Sequence, residues 1–281
     1  SSYVPFGAPS HGLGRTCVCY AESDDGLNWE KPLFERHAAG GCRRTNIVYT
    51  GADPGDPANY GVVATQVFRD ESDPDPGRRY KMISYESRPD AGQHRRGVNL
   101  AVSPDGYEWS LAGEKTLLDY NSDCLNHVVF DPVNERWLLY CRPRCTHATG
   151  RQPQDPAPPH YPAGRHTSRR VAVMTSRDFK TWSYPRTCLY PDERDPSDYD
   201  AVSVLRLGSH FLMFYVAMDG EGDGTKDLRL ASSVDGVNWQ RFHSRTPWLG
   251  RGRAGDWDAG QIKRLNPNPP VTLVADLLFY Y

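Results

Sequence analysis

The sequence carries no excess of charge of either sign: 33 Lys and Arg stand against 35 Asp and Glu, a net of -2. That balance provides no field to draw in nucleic acid or an anionic membrane surface. No apolar run approaches the ~20 residues that span a bilayer. The opening residues, Ser1-Ser2-Tyr3-Val4-Pro5-Phe6, lack the basic and apolar regions of a signal peptide. A soluble chain is expected, its compartment unassigned. CxxC pairs are missing as well. The seven cysteines (Cys17, Cys19, Cys42, Cys124, Cys141, Cys145 and Cys188) have no zinc-ribbon spacing and read mostly as buried, reduced thiols. Cys17 and Cys19 share one side of a strand, where a bridge between them would be strained.

What the 281 residues do have is turn and strand chemistry, with 25 Gly, 23 Pro and 16 Tyr. One unit recurs four times. Its copies are Ser23-Asp24-Asp25-Gly26-Leu27-Asn28-Trp29, Ser103-Pro104-Asp105-Gly106-Tyr107-Glu108-Trp109, Ser176-Arg177-Asp178-Phe179-Lys180-Thr181-Trp182 and Ser233-Val234-Asp235-Gly236-Val237-Asn238-Trp239. Each follows a short strand-like segment: 16–21, 97–102, 170–175 and 227–232. Asp-Gly is a hairpin signal, because Gly accepts positive φ and Asp caps the turn with its side chain. The third copy has Phe179 in place of Gly, so a different turn is expected there.

A second hairpin lies upstream of each later copy: 62–69 into 80–86, 127–130 into 137–142, and 202–207 into 211–218. Two hairpins in series make a four-stranded antiparallel meander, strands A to D. The repeat starts at Ser23, Ser103, Ser176 and Ser233, at intervals of 80, 73 and 57 residues. The fold class predicted is an all-β propeller of four-stranded blades in one domain, with blade parts 1–35, 46–113, 123–188, 198–243 and 256–281. A two-sheet sandwich would not repeat one hairpin signature. Residues 1–35 read as strands B, C and D, and 258–265 and 272–281 as A and B. Five blades with incomplete first and last ones are favoured over four, since the chain stops mid-strand.

Strand direction sorts the loops. The starts of A and the B–C loops share one face, and the Asp-Gly hairpins lie on the other. The most visible motif is therefore structural by position; it resembles the Asp-box hairpins of sialidases. On the first face, strand A starts offer Asp123 with Asn126 and His127, then Tyr199 and Asp200, then Trp257 and Asp258. The B–C loops add Glu86 and Arg88, then Arg142 and Arg144, and Glu221 in a further loop. The Pro-, His- and Arg-rich insert 145–169 carries His147, His160 and His166 but no metal-binding His spacing, and reads as a lid or flap. Residues 219–227 follow an EF-hand pattern until position twelve, which is Leu230, so no cofactor is expected and calcium is the lesser reading of an acidic loop.

Carboxylates converging with arginines and aromatics suit glycoside hydrolysis, in which one acid protonates the leaving oxygen and another attacks or activates water. Trp257 and Tyr199 are candidates to stack on a sugar, and the arginines to read hydroxyls or a uronic acid carboxylate. The segments 19–32, Arg79-Tyr80-Lys81-Met82 and Gly255-Asp256-Trp257-Asp258-Ala259-Gly260 resemble the five-bladed propellers of glycoside hydrolase families 32 and 43 and their bacterial relatives. The resemblance covers nearly the whole chain. It implies acids at the starts of successive A strands, two aspartates and a glutamate, and so points to Asp123, Asp200 and Asp258. The chain departs from the pattern in lacking the first blade's strand A and any glutamate at a strand A start, which leaves Glu86 and Glu221 as rim candidates. The WMNDPNG and RDP motifs are also missing; Phe68-Arg69-Asp70 is a near miss on the hairpin face. The function expected is glycosidic bond hydrolysis, of a furanoside among other candidates. The alternatives are a catalytically silent carbohydrate-binding propeller and a protein-interaction propeller, with oligomeric state open.

Overall fold

The structure, a computed structural model, describes residues 16–53, 61–118, 122, 125–143, 169–219, 224–262, 265, 271–273 and 276–278. It is all-β apart from one 3-10 turn, Pro76–Arg78. The first strands are β1 (Val18–Cys19) and β2 (Ile47–Tyr49), which pair antiparallel. Three four-stranded antiparallel sheets follow. The first is β3 (Val63–Arg69), β4 (Tyr80–Asp90), β5 (Gln93–Ser103) and β6 (Ser110–Ala112). The second is β7 (Asn126–Asp131), β8 (Arg136–Cys141), β9 (Val171–Ser176) and β10 (Arg186–Leu189). The third is β11 (Asp198–Leu207), β12 (His210–Met218), β13 (Lys226–Ser233) and β14 (Gln240–Arg241). In each, sequence order is spatial order, the A-to-D meander of a propeller blade. No helix among the described residues is long and apolar enough to cross a membrane.

Two edges differ from the sequence reading. Ile47–Tyr49 pairs with β1 rather than with the sheet that follows it. At the far end, the apolar segment expected as one strand is a hairpin of β15 (Val271–Leu273) and β16 (Asp276–Leu278). An apolar run alone does not distinguish the two.

Contacts divide the chain into two compact units, residues 1–120 with 270–278, and residues 121–269 with 279–281. In unit 1, Val18, Val48, Tyr49, Val62, Met82 and Ala101 form the core, with the rings of Tyr20 and Tyr107 4.7 Å apart. The β3–β4 connection is tied by a buried lysine. Lys81 Nζ donates to Asp70 Oδ2 at 2.6 Å, Asp73 Oδ2 at 2.8 Å and the Arg78 carbonyl at 3.3 Å, so each of its three protons has an acceptor. In unit 2 the two four-stranded sheets share a core that includes Leu138, Tyr140, Val173, Val204 and Phe211. Gly236 sits so close to the neighbouring sheet that a Cβ there would lie 2.3 Å from Leu138, and Tyr140 Oη donates to the Gly236 carbonyl at 2.6 Å.

The repeated turns owe their shape to side-chain caps. In the last copy Ser233 Oγ accepts from Gly236 N at 2.9 Å, and Asp235 Oδ1 accepts from Val237 N and Asn238 N at 2.8 Å each. These bonds hold the Asp235 carboxyl at about 2 against the cost of burial. Gly26, Gly106 and Gly236 take φ of 72°, 83° and 70°. The third turn was expected to differ, and does not. Phe179 takes φ 59°, and Asp178 Oδ1 caps Lys180 N at 2.8 Å and Thr181 N at 2.7 Å, as its counterparts do. The ring's packing offsets the strain: Phe179 is buried, with Trp137 and Trp182 each 5.2 Å away by ring centroid.

Candidate functional site

In unit 2 the start of β11 carries a bulge. Tyr199 pairs with Ala217 and Val202 with Tyr215, so Asp200 and Ala201 together oppose Val216. A bulge of this kind re-aims side chains at the end of a strand. The β3 start in unit 1 has the same slip, between Val63 and Gln66, where Ala64 takes φ 55°.

Three cations converge on Asp200. Arg142, just past the end of β8, donates from Nη2 to Asp200 Oδ1 at 3.3 Å and to its carbonyl at 2.9 Å, and from Nη1 to the Tyr199 carbonyl at 3.3 Å. Arg169, two residues before β9, donates from Nη1 to Oδ1. Lys226, the first residue of β13, donates from Nζ to Oδ2 at 2.5 Å. An A start, a B end and two C starts thus meet at one end of the sheets. Burial works to raise the carboxyl pKa, but Arg142, Lys226 and Arg169 outweigh it and hold Asp200 below the usual carboxylate range. Beside it, Asp198 accepts from Arg169 N at 2.5 Å and from Ser197 Oγ at 2.8 Å, and Arg170 Nη1 lies 3.7 Å away.

The other unit 2 candidates fall in different places. His127 is buried; its Nε2 lies 2.7 Å from the Val204 carbonyl and 3.1 Å from Val204 N, and so ties β7 to β11. Asn126, the first residue of β7, is buried. Tyr199 is fully buried, and its hydroxyl donates to Asp195 Oδ2 at 3.0 Å. Burial and the Asp195 charge push that phenol far up, and no face of the ring is left for a sugar. Asp195 in turn bonds Arg229, Arg241 and Arg245, a network that pins the segment before β11. Asp258 is half-buried in the turn over 254–260, where a Cβ on Gly252 would lie 2.1 Å from its Oδ1. The strand expected at 258–265 does not form over the described residues. Turn bonds, Arg253 N to Asp256 Oδ2 at 2.7 Å and Asp256 N to the Arg253 carbonyl at 2.9 Å, take the backbone first. Only then does Gln261 bridge to Lys226 in parallel. Trp257, at the tip of that turn, is 81% exposed.

In unit 1, Glu86 on β4 has the opposite character to Asp200. It accepts from Ser84 Oγ at 2.5 Å, Ala52 N at 2.8 Å and Tyr49 Oη at 3.0 Å. Burial exceeds the effect of these donors and of Arg88, and raises its pKa. Arg88 is buried and donates from Nη2 to the Gly113 carbonyl at 2.8 Å. Nearby Asp53 Oδ2 lies 2.6 Å from Nδ1 of half-exposed His94, a pair the sequence reading did not single out.

Asp123, Arg144 and Glu221, the insert histidines and the centre of the acidic loop lie outside the described residues. Among the described residues no three His, Cys, Asp or Glu side chains gather as metal ligands. Arg169 and Lys226 were missed because only A starts and B ends were read for site residues. C starts share the same face, which is the signal that would have found them.

No protein-family model matches the chain, and no curated protein does. Solved structures do match. The BT0996 protein in its RGII complex aligns over 90% of this chain and 70% of its own at 17% identity, with a TM-score of 0.58. A putative glycosidase from Bacteroides thetaiotaomicron aligns over 90% and 72% at 16% identity, with a TM-score of 0.56. An endo-arabinase from the same bacterium aligns over 85% and 74% at 14% identity, with a TM-score of 0.52. At such identities the likeness speaks for architecture, and on that level the fold class predicted from the hairpin repeats holds: the chain has the β-propeller fold found in glycoside hydrolases.

Proposed function

We propose that the chain is a glycoside hydrolase whose sugar is held at the Asp200 end of unit 2. The observation that carries this reading is the convergence of Arg142, Arg169 and Lys226 on one carboxylate at a bulged strand start. Held ionised, Asp200 is suited to stabilise positive charge that develops on the sugar, and not to donate the proton. Trp257 supplies an exposed ring for stacking. Furanosides are the first substrates to try, since an endo-arabinase shares the fold.

One feature favours a sugar-binding role without turnover. Both Asp200 oxygens are already engaged by cations, and its side chain is 8% exposed. A panel of aryl furanosides, aryl pyranosides and plant or microbial glycans, followed for both turnover and binding, separates the two. Hydrolysis that Asp200→Asn removes supports the enzyme. Saturable binding with no hydrolysis of any glycan supports the binding module.

A further inference from the structure

We propose that the ligand of the Asp200 nest is an acidic sugar, a uronic acid or a chain containing one, whose carboxylate docks on Arg169 and Lys226. The inference rests on the glycan reading above and narrows it. A guanidinium has five N–H donors and an ammonium three. Arg169 uses Nη1 for Asp200 and for Met218 Sδ at 3.6 Å, and its buried Nε has no acceptor among the described residues. Lys226 Nζ gives one bond, to Asp200.

Two cations therefore share one carboxylate even before Arg142 is counted. Confined positive charge of this kind is costly until an anion meets it. The outward surface belongs to the same two residues: their side chains are 16% and 13% exposed, against 0% for Arg142. With Nη1 engaged and Nε buried, Nη2 is the nitrogen Arg169 has left for a ligand, one contact beside that of Lys226 Nζ. Neutral sugars would leave the surplus donors to water; a uronate satisfies them.

The test is titration calorimetry of the full chain with oligogalacturonate and with the same oligomer fully methyl-esterified, which is neutral and nearly isosteric. The acidic oligomer is expected to bind at least tenfold more tightly. Arg169→Gln and Lys226→Met should each weaken it by about ten- to a hundredfold, the size of one charged hydrogen bond. Their effect on the ester, which offers no carboxylate to either residue, should be smaller. Equal affinity for acid and ester overturns the inference but leaves the glycan reading standing, and needs no variant to fold. Binding of a sugar phosphate with oligogalacturonate silent also overturns it. If neither acidic nor neutral glycans bind the folded protein, both readings fall together.

Discussion

Replacing Phe179 separates two opposed effects that the structure places in one residue. The side chain is buried between Trp137 and Trp182, and its backbone is left-handed at φ 59°. Removing a buried phenyl ring costs about 3–5 kcal/mol. Positive φ costs a residue with a Cβ about 1–2 kcal/mol, which glycine avoids, less about 0.5–1 kcal/mol for glycine's freer unfolded chain. Phe179→Ala loses the ring and keeps the strain; Phe179→Gly loses the ring and sheds it. Both variants should be destabilised, Ala by about 3–5 kcal/mol and Gly by up to about 1.5 kcal/mol less. Urea unfolding followed by tryptophan fluorescence measures this directly, because two of the reporting indoles flank the site. Alanine tolerated better than glycine would mean the turn is not left-handed. Neutrality of both would mean that the ring contributes nothing to the core.

Other outcomes follow from the charged groups. Glu86 has a raised pKa, so it favours the folded state most below its unfolded value of about 4.3, and that advantage is lost as pH rises through the folded pKa. Glu86→Gln should therefore lose less stability than the parent between mildly acidic and neutral pH in denaturation curves; parallel curves would contradict this. Lys81→Met leaves Asp70 and Asp73 facing each other without their cation and should cost about 3 kcal/mol or more in the same assay. Cys19 is lowered to about 7, chiefly by the hydrogen bond from Cys17, against burial and with help from Lys31. Its alkylation by iodoacetamide, mapped by mass spectrometry, should be half-maximal near that pH and move toward about 8.5 in Cys17→Ala.

The sheets were legible because their signals are local. Alternating strands and capped hairpins need only neighbouring residues, and the three A-to-D meanders lie where the repeats put them. Phe179 shows the limit of reading type alone: the ring's contacts with Trp137 and Trp182 hold a conformation that glycine adopts freely. The site was legible only in outline. Asp200 was found because it lies near a strand start, but the bulge that aims it is a matter of cross-strand register, which no single segment specifies. Tyr199 beside it looked equally exposed, yet Asp195 and Arg241 both bond its hydroxyl, and Arg229 and Arg245 hold Asp195 in place. Such closure comes from other segments of the chain and leaves no mark on the residues next to Tyr199. Glu86 was placed on a rim and lies buried, because Ser84, Ala52 and Tyr49 enclose it.

The most direct test of the account is glycan turnover by the parent and by Asp200→Asn, with folding of both checked by circular dichroism. Release of reducing ends from at least one glycan is expected of the parent. The variant should lose about a hundredfold or more of that turnover, the scale on which preorganised charge acts on a transition state. Turnover that survives the substitution undiminished would contradict it.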